Sequence, residues 1–313
     1  MADAPRYVGG QAVMEGVMMR GATSWAVAVR RPDGEIEVDV NEAPTWAQKY
    51  SRFPLLRGVV ALAESMSLGI RALTWSAHKA ADDGESEPMT RGQVVATVAG
   101  ALVFFSVVFM VLPGLVAKLA GDRLAGTVEF NVFEGVVKMA MFLGYIAFIG
   151  RMPDIRRVFQ YHGAEHKAIA AYENDVALTP ESAQRFTTQH VRCGTNFLLL
   201  VLALSIALHA VFGRPSWAVL LASRLLLIPV VAGVAYEFIR YAASHMHRRW
   251  VRALMVPGLA MQRMTTREPD LDQLEVAIAS LRAVLTAEQL AEVDARATVP
   301  TLRPQPRPGL APA

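Results

Sequence analysis

Long apolar stretches dominate the middle of the chain. Four of them are close to the roughly 20 residues that a helix needs to cross the hydrocarbon core of a bilayer. They cover residues 93–117, 132–150, 195–213 and 217–239. The first contains no charged residue, and the other three are interrupted only by isolated polar side chains. This pattern predicts four transmembrane helices, which form a membrane domain over residues 93–239 with a long polar loop at 151–194.

The few ionisable residues inside these spans are expected to have partners, since an unpaired charge in lipid is costly. Glu134 and Lys138 are four residues apart and therefore neighbours on one helix face. Arg224 lies at a similar depth in the fourth span, so we expect it to pair with Glu134. His209 lies in the third span, and Glu237 is near the end of the fourth. Glu134, Lys138, His209 and Arg224 are interpreted as a structural cluster, with a transport path as the alternative, whereas Glu237 at the cytoplasmic end faces either the polar loop 151–194 or solvent.

Basic residues are distributed unequally between the two sides of the predicted spans. The two loops on one side carry only Lys118, Arg123 and Arg214. The remaining flanking segments carry most of the Arg and Lys, and basic residues favour the cytoplasmic side. The chain is therefore expected to be a multi-pass protein of the inner (cytoplasmic) membrane. Both termini and the loop 151–194 are expected to be cytoplasmic.

Residues 1–50 predict a small β-rich cytoplasmic element. Residues 25–30 and 35–40 flank the turn sequence RPDG, and the second of these segments alternates as a half-buried strand does. The preceding segment, VGGQAVMEGVMMRG, is rich in Gly and Met. Within it, Glu15 is either a site carboxylate or a solvated turn residue.

Residues 51–82 predict an amphipathic helix, with Pro54 suited to its first turn. Arg57, Glu64, Arg71 and His78 recur every seven residues, so they form one narrow polar stripe. A helix of this kind lies in the membrane interface or packs against the spans. A fifth span is the competing interpretation, and it would move the N-terminus to the outside.

The remaining residues predict a cytoplasmic helical segment over 240–296 and a disordered, Pro-rich tail over 297–313. Within the segment, an apolar stripe indicates an amphipathic helix that belongs to the core. The predicted fold is thus a mainly α membrane protein with an interfacial helix, a cytoplasmic helical hairpin and a small N-terminal β element. The stripe consists of Leu271, Leu274, Ile278, Leu281 and Leu285.

Composition excludes several classes of protein. The chain is 53% hydrophobic and 19% charged, whereas soluble domains contain about 25% charged residues. Its net charge of +3 is too small to indicate a nucleic-acid partner. Cys193 is its single cysteine, which excludes an internal disulfide framework.

The loop 151–194 contains a motif that can carry chemistry. His162, Glu165 and His166 form the pattern H-x-x-E-H. On a helix, the two histidines lie on one face, and Glu173 returns to that face two turns later. Two imidazoles and a carboxylate are the ligands of many catalytic zinc sites, which keep one position open for water. The remaining Glu165 can then act as the general base.

A third metal ligand is expected from the following segment. Thr179 and Pro180 predict the start of a second helix that ends near Gly194. A hairpin of the two helices would bring His190 and Cys193 over the first two histidines. We favour His190 as the third ligand, with Cys193 as an alternative or additional one, because Glu173 is about 11 Å along the helix from His166. A divalent metal, above all zinc, suits this donor set.

Five segments of the chain resemble the signature blocks of the YqhQ-like family. This family comprises bacterial membrane proteins of unknown function that are labelled predicted metal-dependent enzymes. The resemblance extends over most of residues 7–285 and implies a metal but no particular substrate. Val191 departs from the family pattern, which has proline there, and leaves His190 and Cys193 in place. The segments are GGQAVMEGVMMRG, FPLLRGVVALAESMSLG, FQYHGAEHKAIAAYE, HVRCGTNF and MVPGLAMQRMTTREP.

These observations favour a membrane-embedded, metal-dependent hydrolase that acts at the cytoplasmic leaflet on a lipid or a membrane protein. The lipid bilayer is its expected partner, and a homo-oligomer is compatible with the sequence. A transporter or channel is one alternative, and it requires a continuous polar path from Glu134 to the cytoplasm. A non-enzymatic membrane scaffold that recruits cytosolic partners is the other, and it requires that the candidate ligands do not converge.

Overall fold

The computed structural model describes residues 8–81, 90–120, 126–210 and 217–297. Its N-terminal part is an antiparallel sheet of four strands in sequential order: β1 (Gly9–Val13), β2 (Gly16–Arg20), β3 (Ser24–Arg30) and β4 (Ile36–Glu42). The hairpin predicted around the RPDG turn is confirmed, since Arg30 pairs with Ile36. The Gly- and Met-rich segment forms a second hairpin, and Glu15 adopts a left-handed conformation (φ 49°) in its turn.

Both faces of this sheet are covered by helices. Trp25, Val27 and Val29 of β3 face the helix α2 (Leu56–Ala80), and the alternate residues Ala26 and Ala28 face the other core. This explains why β3 reads as an almost continuous apolar run. The strand β4 lies at the edge, and here the expected orientation is wrong, because its apolar residues Val38 and Val40 are exposed.

The amphipathic helix predicted over residues 51–82 is present as α2, which begins at Leu56 after the short helix α1 (Trp46–Lys49). Its polar stripe makes contacts within the protein. Arg57 forms an ion pair with Glu237, and Glu64 is buried and paired with Arg20. The helix therefore connects the sheet to the apolar helix that carries Glu237, and it is not among the described helices apolar enough to span a bilayer.

The described residues contain three helices that are long and apolar enough to cross a membrane. The first runs over Arg91–Leu119 and consists of α3 (Arg91–Ser106), a π-helical turn and α4 (Leu112–Leu119). The second lies in α5 (Thr127–Ile149) and the third in α9 (Trp217–His245). A shorter apolar helix, α8 (Gly194–Ala210), packs between α5 and α9.

The polar residues expected inside the spans are partly visible. Lys138 Nζ lies 3.6 Å from Glu134 Oε1, which confirms this intrahelical pair. The side chains of His209 and Arg224 lie outside the described residues, so the pairing of Arg224 with Glu134 stays a prediction. The predicted disordered tail also lies outside them from residue 298 onward.

The predicted helical hairpin is only half correct. Its first half is the long helix α6 (Pro153–Glu173), but its second half contains only the short α7 (Pro180–Ala183). Thr179 caps α7 as expected, and residues 184–193 then continue without a helix. The carbonyls of Gln184, Thr188 and His190 accept hydrogen bonds from side chains of α6 or of the later helix α10 (Arg249–Thr265), and the His190 carbonyl also accepts one from the backbone N–H of Cys193.

The C-terminal part forms α10 (Arg249–Thr265), α11 (Leu271–Ala283) and α12 (Ala287–Ala297). The predicted apolar stripe buries Leu274, Ile278, Leu281 and Leu285, whereas Leu271 is exposed. These residues share one hydrophobic core with the sheet and α6. Three segments that are far apart in the sequence thus form a single structural unit.

Candidate metal centre

The helix α6 places two histidines on one buried face. The rings of His162 and His166 lie one helical turn apart, with centroids 4.5 Å from each other. The helix tolerates Gly163 between them because the segment after α10 passes at this point. A Cβ atom at Gly163 would collide with the carbonyl oxygen of Arg267. The glycine therefore allows the backbone that follows α10 to approach the site.

Backbone carbonyls orient both rings in the same way. Nδ1 of His162 lies 2.8 Å from the carbonyl oxygen of Thr265, and Nδ1 of His166 is hydrogen-bonded to that of Thr188. A carbonyl oxygen only accepts, so each Nδ1 must donate its proton. The lone pair of each neutral ring is then on Nε2. Hydrogen bonds of this kind, from the ring N–H to a backbone carbonyl, orient histidines that are bound to metals.

Cys193 completes a group of three ligand atoms. Its Sγ lies 3.2 Å from Nε2 of His162 and 3.2 Å from Oγ1 of Thr195. One ligand atom each from His162, His166 and Cys193 lie within 4.8 Å of one another. Zinc ligands at about 2.0–2.3 Å from a tetrahedral ion are about 3.5 Å apart, so the group is close to the spacing that zinc needs.

One buried atom in this group has no hydrogen-bond partner. Nε2 of His166 is inaccessible to solvent and makes no hydrogen bond of standard geometry, although the Cys193 thiol interacts with this ring. Burying a polar atom without a partner costs about 1–3 kcal/mol. An ion bound between the two rings and the sulfur would give this nitrogen a partner. The orphaned acceptor is the observation that best fits a metal site.

The electrostatics of the site favour the forms that bind metals. Burial lowers the pKa of His166, which keeps its imidazole neutral. Burial also disfavours the Cys193 thiolate, but interactions with His166 and Thr195 outweigh this effect and lower the pKa of the thiol. A neutral imidazole and a thiolate are the protonation states that coordinate zinc.

Glu165 lies beside this group, at the contact between α6 and the sheet. Its carboxyl group packs against β1, where a Cβ atom at Gly10 would lie 2.8 Å from Glu165 Cδ. Burial raises the pKa of Glu165 to about 8, the nearby His162 lowers it, and Cys193 raises it. The site therefore contains a carboxyl group whose proton affinity suits general acid–base chemistry near neutral pH.

The other two predicted ligands, His190 and Glu173, pair with each other beside this group, and the ring centroid of His190 lies 5.6 Å from that of His166. His190 Nε2 lies 3.4 Å from Oε2 of Glu173, and Arg192 forms an ion pair with the same carboxylate. Burial raises the pKa of Glu173, but His190 and Arg192 outweigh this and keep it low. Cys193, and not the favoured His190, is therefore the third member of the convergent group with His162 and His166.

A buried amide network holds the segment that carries Cys193. Gln262 of α10 accepts a hydrogen bond from the backbone N–H of His190 and donates one to its carbonyl oxygen. It also donates to Asn196 at 3.0 Å. Gln262, Thr188 and Thr265 could not be predicted as part of the site, because a backbone carbonyl or a distant amide leaves no signal in local spacing.

The chain matches a described protein family and is similar to a bacterial protein. The family described as "Protein of unknown function (DUF1385)" matches residues 53–287. The chain is also similar to the uncharacterized protein YqhQ of Bacillus subtilis (strain 168). The two are 33% identical over 308 residues, which cover 92% of this chain and 95% of the relative. No solved structure matches the chain.

Proposed function

The chain belongs to the DUF1385 family of YqhQ-like proteins, and we propose that it is a metal-dependent hydrolase embedded in the inner membrane. The convergent group of His162, His166 and Cys193 carries this proposal, together with the orphaned nitrogen of His166. Two imidazoles and one thiolate make zinc the proposed ion. Three protein ligands leave a fourth position for water or substrate, as in catalytic zinc sites.

The bound ion would supply Lewis acidity and activate water near neutral pH. Glu165 would accept and donate the proton, because it is buried beside the ligands and is the glutamate of the H-x-x-E-H pattern. As the oxygen of a water molecule attacks the substrate, the Glu165 carboxylate takes one of its protons. The bond to the leaving group breaks, and Glu165 then returns this proton to the leaving group. Water is added across the bond, and no redox partner is needed.

The shared core supports four membrane crossings. The sheet, α6 and α11 pack together, so they lie on one side of any membrane that the intervening helices cross. Between the sheet and α6 there are two candidate spans. Between α6 and α11 there are α8, α9 and α10, so if α9 crosses and α10, which is not a candidate span, does not, α8 must cross as well. The 17 residues of α8 are at the lower limit of the length required.

The basic residues of the flanking segments support a cytoplasmic position for this core and for both termini. Cys193 directly precedes α8, so the ligand group lies where a membrane helix would leave the bilayer. Such a position suits an enzyme that acts on a substrate at the cytoplasmic leaflet.

The experiment that tests the proposal is metal analysis of the purified, full-length protein. We expect about one zinc ion per chain in the wild type. His166→Ala should lose it, whereas the control His247→Ala should keep it, because His247 is exposed and lies outside the ligand group. In a strain that lacks the protein, the first variant should fail to restore the wild-type phenotype and the second should restore it.

A metal-free wild type, together with an intact cellular role in His166→Ala, would contradict the hydrolase. That result would favour the scaffold. Glu165→Gln separates binding from chemistry, since it should keep the metal and lose the activity.

A further inference from the structure

A large apolar cavity adjoins the candidate metal centre. It has a volume of about 470 Å³ and lies between α5, α8, α9 and α10. Its walls are almost entirely apolar, with Met139, Leu200, Ala203, Val234 and Leu254 among the lining residues. Binding cavities for small molecules have volumes of about 300–1,000 Å³. This cavity is therefore large enough to hold an apolar ligand.

The polar end of the cavity lies next to the metal centre. Asn196 lines the cavity and lies three residues after Cys193, and its N–H donates to the Cys193 carbonyl oxygen. Gly258, one turn before Gln262, lines the cavity directly beside Asn196, since a Cβ atom at Gly258 would lie 2.5 Å from Asn196 Oδ1. Gln262 and Asn196 are hydrogen-bonded to each other. A ligand in the cavity thus has one end within about one helical turn of the ligand group.

The cavity opens toward the bilayer. Two of its walls, α5 and α9, contain candidate membrane spans. Ala203 and Leu254 line the cavity and are nevertheless exposed, so the opening faces the lipid and the interface. A helix is about 10–12 Å across, and a single turn would fill the space. A flexible hydrocarbon chain fits the cavity, whereas a transmembrane segment of a protein does not.

Positive charge surrounds the cytoplasmic end of the cavity. Arg248, Arg249 and Arg252 are exposed at the start of α10, whose next turn carries Leu254 into the cavity. The exposed Trp250 lies between them, and Trp and Arg side chains are typical of the headgroup region. Basic residues at this depth attract anionic headgroups.

From this geometry we infer that the substrate is an anionic lipid, with one hydrocarbon chain in the cavity and its headgroup between the arginines and the metal centre. The chemical step rests on the proposed hydrolase. Binding of the lipid does not, because neither the residues that line the cavity nor the arginines are among the proposed metal ligands.

A photoreactive lipid tests the occupant directly. The full-length protein is reconstituted in vesicles that contain phosphatidylglycerol with a diazirine in one acyl chain, and labelled residues are identified by mass spectrometry. We expect labels on the parts of α8 and α10 that line the cavity. Ala203→Phe should reduce them about tenfold by filling the space.

The control is Ala207→Phe, which is exposed one turn farther along α8 and does not line the cavity. It should label as the wild type does. If Ala203→Phe labels like Ala207→Phe, or if a hydrophobic helical peptide displaces the label and lipid does not, the inference is wrong.

A competition experiment tests the headgroup. Unlabelled phosphatidylglycerol should displace the label more effectively than phosphatidylcholine, and the double variant Arg249→Ser and Arg252→Ser should remove this preference. Equal competition in the wild type would overturn the anionic headgroup.

Metal content measured on the same samples separates the two proposals. Specific labelling in a metal-free wild type would support the lipid site and contradict the hydrolase. Bound zinc without labelling of the cavity would support the metal site and contradict the lipid site.

Discussion

Two buried polar clusters lie side by side on α6 and the segment that follows it, and they differ in how their atoms are paired. In the first, His162, His166 and Cys193 direct ligand atoms toward a common point, and Nε2 of His166 has no partner. In the second, Glu173 is held by both His190 and Arg192. We call the first group the open cluster, because one of its ligand atoms lacks a hydrogen bond. We call the second the closed cluster, because its members pair with one another.

This difference separates a ligand site from a structural ion pair. A buried charge is tolerated when nearby groups compensate for it, as they do for Glu173. A buried lone pair without a partner lowers stability unless something binds to it. Residue type alone does not distinguish the clusters, because histidine occurs in both. The comparison therefore rests on the direction of the lone pairs.

The largest expected effect is stabilisation by zinc. An ion at about 1,000 times its dissociation constant stabilises the native state by about 4.1 kcal/mol. We expect a corresponding rise of the thermal unfolding midpoint in the wild type and in Glu173→Gln, and almost none in Cys193→Ser. The measurement is thermal unfolding in detergent with and without zinc. The reverse pattern in the two variants would exchange the roles of the clusters.

The second effect concerns the closed cluster. Arg192→Ala leaves the Glu173 carboxylate buried with a weaker partner, which should destabilise the protein by about 3 kcal/mol. Zinc should still raise the unfolding midpoint of this variant. Arg282→Ala is the control, because its ion pair with Asp294 is exposed and should contribute less than about 1 kcal/mol. Equal losses in the two variants would contradict a structural role for Glu173.

The smallest effect concerns the backbone that orients His162 in the open cluster. Gly163→Ala should push away the backbone that carries the Thr265 carbonyl, and overpacking of this kind costs about 1–3 kcal/mol. Loss of this support for His162 should also weaken zinc binding by about 10–100-fold. Gly144→Ala on α5 is the control, since no atom lies within 4 Å of a Cβ there. Zinc titration of both variants tests the prediction, and equal affinities would argue against it.

Much of the architecture could be predicted from the local pattern. The apolar runs correspond to helices, the RPDG turn forms a hairpin, and the spacing of Glu134 and Lys138 brings them together. The missing second helix of the hairpin could not be predicted, because Gln184 and Thr188 hydrogen-bond to side chains of α6 that are distant in the sequence. Long-range hydrogen bonds of this type override local helix signals.

The candidate site shows the same division. Spacing alone places His162 and His166 on one helix face, since the helical period brings every fourth residue to the same side. Choosing between His190 and Cys193 required the path of residues 184–193, which is determined by contacts with α6 and α10. The periodicity within one helix or strand can be predicted from the sequence. The convergence of separate elements depends on packing between residues far apart in sequence, and only the tertiary structure decides it.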